Sequence, residues 1–196
     1  MGKSGYDYCL ASNSLSLRKK IIGMLRQADF HNSGTSKSIP ELLRTLRLVQ
    51  PWLAIVDTAL PPGNIEQLAS VIENDSLSAA IYINTTGIDL DIYVQLPWPV
   101  EAPVLNAVAE AVCNEFAHKK KLHQEVEILQ NKLNQRKIIE KAKGYVQDVC
   151  KLNEEEAYQF LRRSSMEKRI SLGELAKLII DDPGYIAFLL PHRQNP

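Results

Sequence analysis

Residues 51–64 read PWLAIVDTALPPGN. After Pro51 and Trp52, four consecutive apolar residues (Leu53, Ala54, Ile55, Val56) lead to a single carboxylate, Asp57. An apolar run without alternation suits a strand buried on both faces, as in a parallel sheet. Pro61-Pro62-Gly63 then reads as a loop. Outward from this strand the pattern repeats. IEQLASVIE (65–73) and IPELLRTLRL (39–48) have helical spacing, with Pro40 tolerated in the first turn of the latter. LSLRKKIIGMLRQA (15–28) places Leu17, Ile21, Ile22 and Leu25 on one helical face. YDYCLAS (6–12), AAIYIN (79–84) and DIYVQL (91–96) read as strands, and a short strand near Phe30 is the faintest of the set. Pro97 and Pro99 are expected to end the sheet. Alternating strands and helices predict an α/β domain over residues 1–100. Its core is a doubly wound, five-stranded parallel sheet of the flavodoxin-like kind.

From Glu101 the character changes. No Gly or Pro occurs between Pro103 and Gly144, which predicts one long helix, with 101–135 as its linking or coiled-coil part. Leu122, Val126, Leu129 and Leu133 step by the a/d spacing of a heptad. Two readings fit this stripe: a homodimer seam, or packing on the protein's own next helices. Asn153 before three glutamates, with Glu156 in the reciprocal position, marks a helix start. Ser171 with Glu174 marks another. Asp181-Asp182-Pro183-Gly184 stops the last helix, and the tail 183–196 either docks on the helices or stays loose.

Charge is unevenly placed. Residues 1–116 hold 8 Lys/Arg against 12 Asp/Glu, whereas residues 117–170 hold 13 against 8. An anionic partner is therefore sought in the second segment. Three widely spaced cysteines without a CxxC pair fit free thiols. No signal peptide or membrane span is legible, so a cytoplasmic protein with no membrane association is expected.

Residues 129–180 read LQNKLNQRKIIEKAKGYVQDVCKLNEEEAYQFLRRSSMEKRISLGELAKLII. The Arg-x-Ile-Ile, the Ala-Lys-Gly at 142–144, the capped EEEAYQFLRRSS and the Leu-Ala of the last helix resemble the ANTAR (AmiR/NasR-type) domain of antitermination regulators. The resemblance implies an all-α, three-helix RNA-binding unit, assigned here to 129–182. Such a unit recognises hairpins in leader transcripts and prevents termination. Taken by themselves, Arg136, Lys137, Lys141 and Lys143 on one helix, Arg162 and Arg163 on the next, and Lys168 and Arg169 after it fit either phosphate contacts or a solvated face. The resemblance favours the first, with leader RNA hairpins as partner. Tyr145 and Tyr158 fit base stacking or half-buried packing.

The segment 52–64 resembles the phosphoacceptor strand and loop of two-component receiver domains, which places Asp57 at the acceptor position. This implies a response regulator in a phosphorelay, served by a sensor kinase or a ligand-binding sensor protein. Phosphoryl transfer there also needs Mg²⁺, held by further carboxylates after the first strand. Here that stretch is Ala11-Ser12-Asn13-Ser14, and Leu96 replaces the Lys before a Pro. Thr85 or Thr86 fills the hydroxyl position. The pocket is expected to hold Mg²⁺ and phosphate poorly, so no cofactor is expected. His118 and His123 are five apart and form no metal pair. No enzymatic motif is present, and no enzyme is expected. The alternative function is a response regulator acting by DNA binding or protein contact, although three glutamates at 154–156 disfavour entry of that helix end into a groove.

Overall fold

The computed structural model describes residues 5–61, 63–87, 91 and 94–190. The chain divides into two compact units, residues 1–122 and 123–196.

In the first unit, β1 (Tyr6–Ala11), β2 (Phe30–Ser36), β3 (Leu53–Asp57), β4 (Ala79–Asn84) and β5 (Gln95–Pro97) form one parallel sheet in the order β2-β1-β3-β4-β5. Every residue of β3 is buried. Alternate side chains go to opposite faces. Leu53 and Ile55 join Leu10, Ile81 and Ile83 on one side, under Leu17, Ile21 and Leu25 of α1 (Leu15–Leu25). Leu105, Ala109 and Cys113, from the beginning of α4 (Ala102–Cys150), complete that core. Ala54 and Val56 join Cys9 and Tyr82 on the other side. Leu42 and Leu46 of α2 (Ile39–Val49) and Leu68 and Ile72 of α3 (Ile65–Asn74) cover them. Ser14, Ser38 and Asn64 cap the three helices through their side-chain oxygens.

Two strands depart from expectation. β2 is a full seven-residue strand, although its sequence FHNSGTS is polar. It lies at the sheet edge, where water faces most of its side chains, so hydrophobic pattern could not reveal it. β5 is short and runs through Pro97, which the sequence reading took as a terminator. Proline is tolerated there because β5 is the other edge and needs no donor on its outer side. Of the expected strand 91–96, residues 92 and 93 lie outside the described residues.

In the second unit, α4 continues without a break past Gly144 to Cys150. A helical glycine costs about 1 kcal/mol relative to alanine. Burial of Ala142 and Val146 on either side of it outweighs that cost. α5 (Glu154–Lys168) and α6 (Leu172–Asp181) begin at the two anticipated capping boxes, Asn153/Glu156 and Ser171/Glu174. Ala157 and Leu161 of α5 and Leu175, Ala176 and Ile179 of α6 meet Ala142 and Val146 in one core. Of the tail, α7 (Tyr185–Leu189) docks through Ile186 and Leu189, and residues 191–196 lie outside the described residues.

The heptad stripe does not pack on the following helices. Leu122, Val126, Leu129 and Leu133 are 48%, 51%, 58% and 60% exposed. The intramolecular reading of that stripe is therefore excluded for the single chain.

Candidate functional site

Two places carry the residues singled out by sequence. The first is the carboxyl end of β3. Asp57 is buried there, and its carboxylate accepts from neutral donors at both oxygens. Ser12 Oγ donates to Oδ2 at 2.7 Å, Thr85 Oγ1 donates to Oδ1, and the Ala59 N–H reaches Oδ1 at 3.0 Å. Ser12 is therefore more than a missing acid: its hydroxyl also accepts from the Ser14 N–H at 3.0 Å, which ties the loop after β1 to Asp57. Between the two threonines the geometry selects Thr85, since the Thr86 hydroxyl lies instead by Thr58 and Asn84. The X–Pro pair that follows β5 is Trp98-Pro99 rather than Leu96-Pro97, because the strand extends through Pro97. Trp98 supplies no cation, although the Lys20 ammonium lies 5.7 Å from its ring centre. A divalent cation does not fit this donor set. Asp57 offers one carboxylate, both of whose oxygens already accept hydrogen bonds, and Mg²⁺ favours more anionic oxygen than two hydroxyls supply. Among the described residues, no three His, Cys, Asp or Glu side chains gather to hold a metal.

The second place is the three-helix unit. Arg136, Lys137 and Lys141 on α4, Arg162 and Arg163 on α5, and Lys168 and Arg169 at the end of α5 are all exposed. Among the described residues, none of these seven forms an ion pair, so their charge remains available to an anion. Arg169 ends α5 in the left-handed region, at φ 56°, and its N–H bonds back to Ser165 and Met166.

Lys143 corrects the sequence reading. It is 8% exposed, and its ammonium is bound by Glu140 on its own helix and by Glu154 at the start of α5, the latter at 2.7 Å. It joins two helices rather than presenting a charge to solvent. The spacing that put it on one face with Arg136 was right about the helix but blind to the carboxylate that α5 delivers. Glu154, three residues from the Ala157 packing position, was the missed partner.

Two contacts set the course of α5. Glu154 holds its start beside Lys143. A methyl group added at Gly173, in the first turn of α6, would lie 3.9 Å from Gln135 on α4. Arg162 and Arg163 lie on α5, between these two contacts along the chain. Tyr158 is partly exposed, one turn before Arg162.

Residues 127–180 match the family model of the ANTAR domain. The chain carries an ANTAR domain. Over 183 residues the chain is 22% identical to the transcriptional regulatory protein PdtaR of Mycobacterium tuberculosis strain H37Rv. The match covers 89% of each chain, and the same protein of strain CDC 1551 / Oshkosh matches equally. The signal receiver domain of a modulated diguanylate cyclase from Desulfovibrio desulfuricans G20 superposes with a TM-score of 0.54 at 15% identity. It covers 59% of this chain and 98% of that one. The response regulator PhyR from Brucella abortus gives 0.52 at 16% identity, over 62% of this chain and 53% of its own. These likenesses show a receiver fold ahead of the segment that matches the ANTAR domain. Among the described residues, no helix is long and apolar enough to cross a membrane.

Ionisation follows from the Lys143 contacts. Hydrogen bonds to Glu140 and then Glu154 raise the Lys143 pKa above its ordinary 10.5. The Lys143 hydrogen bond lowers that of Glu154 below its ordinary 4.5. A lowered carboxyl contributes stability that is full above its unfolded pKa and is lost as pH falls through the folded value. A raised amine contributes stability that is full below its unfolded pKa and is lost as pH rises through the folded value. The stability gap between wild type and Lys143→Met, from urea unfolding, is therefore expected to be constant between pH 4.5 and 10.5 and to narrow on both sides. A gap that persists unchanged at acid pH would show that the bridge to Glu154 is not its source. At the other site, Mg²⁺ with acetyl phosphate is expected to leave Asp57 largely unmodified by intact mass. Stoichiometric phosphorylation lost in Asp57→Ala would refute that expectation.

Proposed function

We propose that the protein is a transcription regulator that binds hairpins in leader transcripts through its ANTAR domain and promotes antitermination in the cytoplasm. The observation that carries this reading is the set of seven exposed, unbridged cations on a three-helix unit, in a chain whose remaining carboxylates leave it electrically neutral. A helical surface cannot read the deep, narrow major groove of A-form RNA. It grips backbone phosphates and contacts loop bases that are free to stack or pair. Arg136, Lys141, Arg162 and Arg163 are the principal contacts, with Lys137, Lys168 and Arg169 beside them. Lys143 acts in this reading through helix placement alone. The receiver fold is the input side, addressed by a sensor kinase or a ligand-binding sensor protein.

The regulator works as a homodimer. A stripe of four exposed aliphatic residues at heptad spacing is costly in water, and pairing with a second copy removes it. A dimer also presents two RNA-binding units to one transcript, which raises the effective concentration of the second contact.

In filter-binding titrations of a leader hairpin, affinity is expected to fall steeply with salt. Arg162→Ala is expected to flatten the salt slope by about one unit if it touches phosphate, or to cost roughly 1–3 kcal/mol with relaxed loop preference if it touches a base. Lys143→Met should change affinity only as far as it changes helicity. Salt-independent binding, or duplex DNA preferred to the hairpin, would overturn the RNA reading and favour the DNA alternative. For the dimer, Leu129→Glu is expected to give monomers by light scattering, since it buries two like charges in the seam. A fully dimeric Leu129→Glu would eliminate the seam.

A further inference from the structure

The first unit holds a pocket that neither Asp57 nor the RNA reading uses. In an alternating α/β chain each strand crossover carries a helix to cover the sheet. Between β4 and β5 only residues 85–94 intervene, and among those described none is helical. The α3 side of β4 is left with a concavity of about 350 Å³. Its apolar wall comes from Ala69 and Ile72 on α3, Ala80 on β4, Val94, and Val112 and Phe116 on α4. The volume is at the lower end of the range for small-molecule sites.

Two polar atoms distinguish this wall from a plain packing defect. Tyr82 and Ser78 both line it, at 2% and 5% exposure. Their hydroxyls, Tyr82 Oη and Ser78 Oγ, are buried without a hydrogen-bond partner. A buried hydroxyl without a partner carries an uncompensated desolvation penalty, so two on one wall favour an incoming polar group. Burial and the nearby Glu73 carboxylate push the Tyr82 phenol well above its usual range, which keeps its proton available for donation. At the rim, Glu73 is bridged to Lys119 at 3.5 Å, and Glu115 adds a second carboxylate. That balance is negative and repels anions.

We infer that this pocket binds a small, uncharged aromatic molecule carrying a hydroxyl, with its ring against the α3 and α4 side chains and its hydroxyl paired with Tyr82 and Ser78. A ligand there gives the receiver-like unit an input that does not pass through Asp57. This inference is independent of the RNA reading, because it concerns only the first unit and is tested without RNA.

The test uses p-cresol and p-xylene, which differ by a hydroxyl in place of a methyl, with p-toluate as the anionic counterpart. Each is titrated into the full chain, and the methyl resonances of Ile72, Val94 and Val112 are followed by NMR. For ligands this small, saturation is expected on the order of 1 mM. p-Cresol is expected to bind about three- to tenfold tighter than p-xylene, the range that one or two neutral hydrogen bonds supply, and p-toluate is expected to bind worst. Tyr82→Phe should reduce the cresol preference toward one while p-xylene still binds. Ser78→Ala should act in the same direction and serves alone if Tyr82→Phe fails to fold. Ala69→Leu, which fills the pocket, should abolish both. Shifts that never saturate, equal binding of cresol and xylene by wild type, or a cresol preference that survives in Ser78→Ala and in any folded Tyr82→Phe would overturn the assignment.

Discussion

The structure of the first unit depends on β3 having no wet side. All five residues from Leu53 to Asp57 are buried, so the strand is stable only between two helical layers and only with strands on both flanks. Burial of each large aliphatic side chain contributes about 1.5–3 kcal/mol. That burial recruits α1 and the start of α4 to one face and α2 and α3 to the other. It also delivers Asp57 to the carboxyl edge of the sheet, where sites of open α/β folds lie. The carboxylate at that edge accepts hydrogen bonds from the Ser12 and Thr85 hydroxyls and from the Ala59 N–H. The scaffold of a receiver fold therefore carries at this edge a carboxylate hydrogen-bonded to Ser12 and Thr85.

The second unit solves a different problem with fewer residues. Three helices with a small core need their ends fixed, and three kinds of contact do so. Two capping boxes satisfy the first amides of α5 and α6. The Lys143 ammonium, shared between Glu140 and Glu154, couples the beginning of α5 to α4. Ile186 and Leu189 of α7 pack into the same core. One basic side chain is thereby withdrawn from the surface, and the seven that remain are held in place by helices whose course is defined.

How far the sequence revealed this follows from which forces leave local traces. β3 was legible because burial on both faces requires an unbroken apolar run. The capping boxes were legible because their two partners lie three residues apart. β2 was hidden because an edge strand facing water has no hydrophobic signature. The full length of α4 was half-hidden by Gly144, whose cost is offset by Ala142 and Val146 against residues far along the chain. Lys143 was placed on the right helix but given the wrong surroundings, since the ion pair that buries it joins positions eleven apart on separate helices. The place of Asp57 at the carboxyl end of β3 was legible. That Ser12 would bond to Asp57 across 45 residues was not.

Arg169 shows one further consequence of the fold. It stops α5 at φ 56°, a backbone conformation that costs a residue with a side chain roughly 1 kcal/mol or more and costs glycine almost nothing. Glycine there would make a firmer helix end and a less basic surface. Arginine at that point therefore surrenders stability and keeps a positive charge at the turn between α5 and α6.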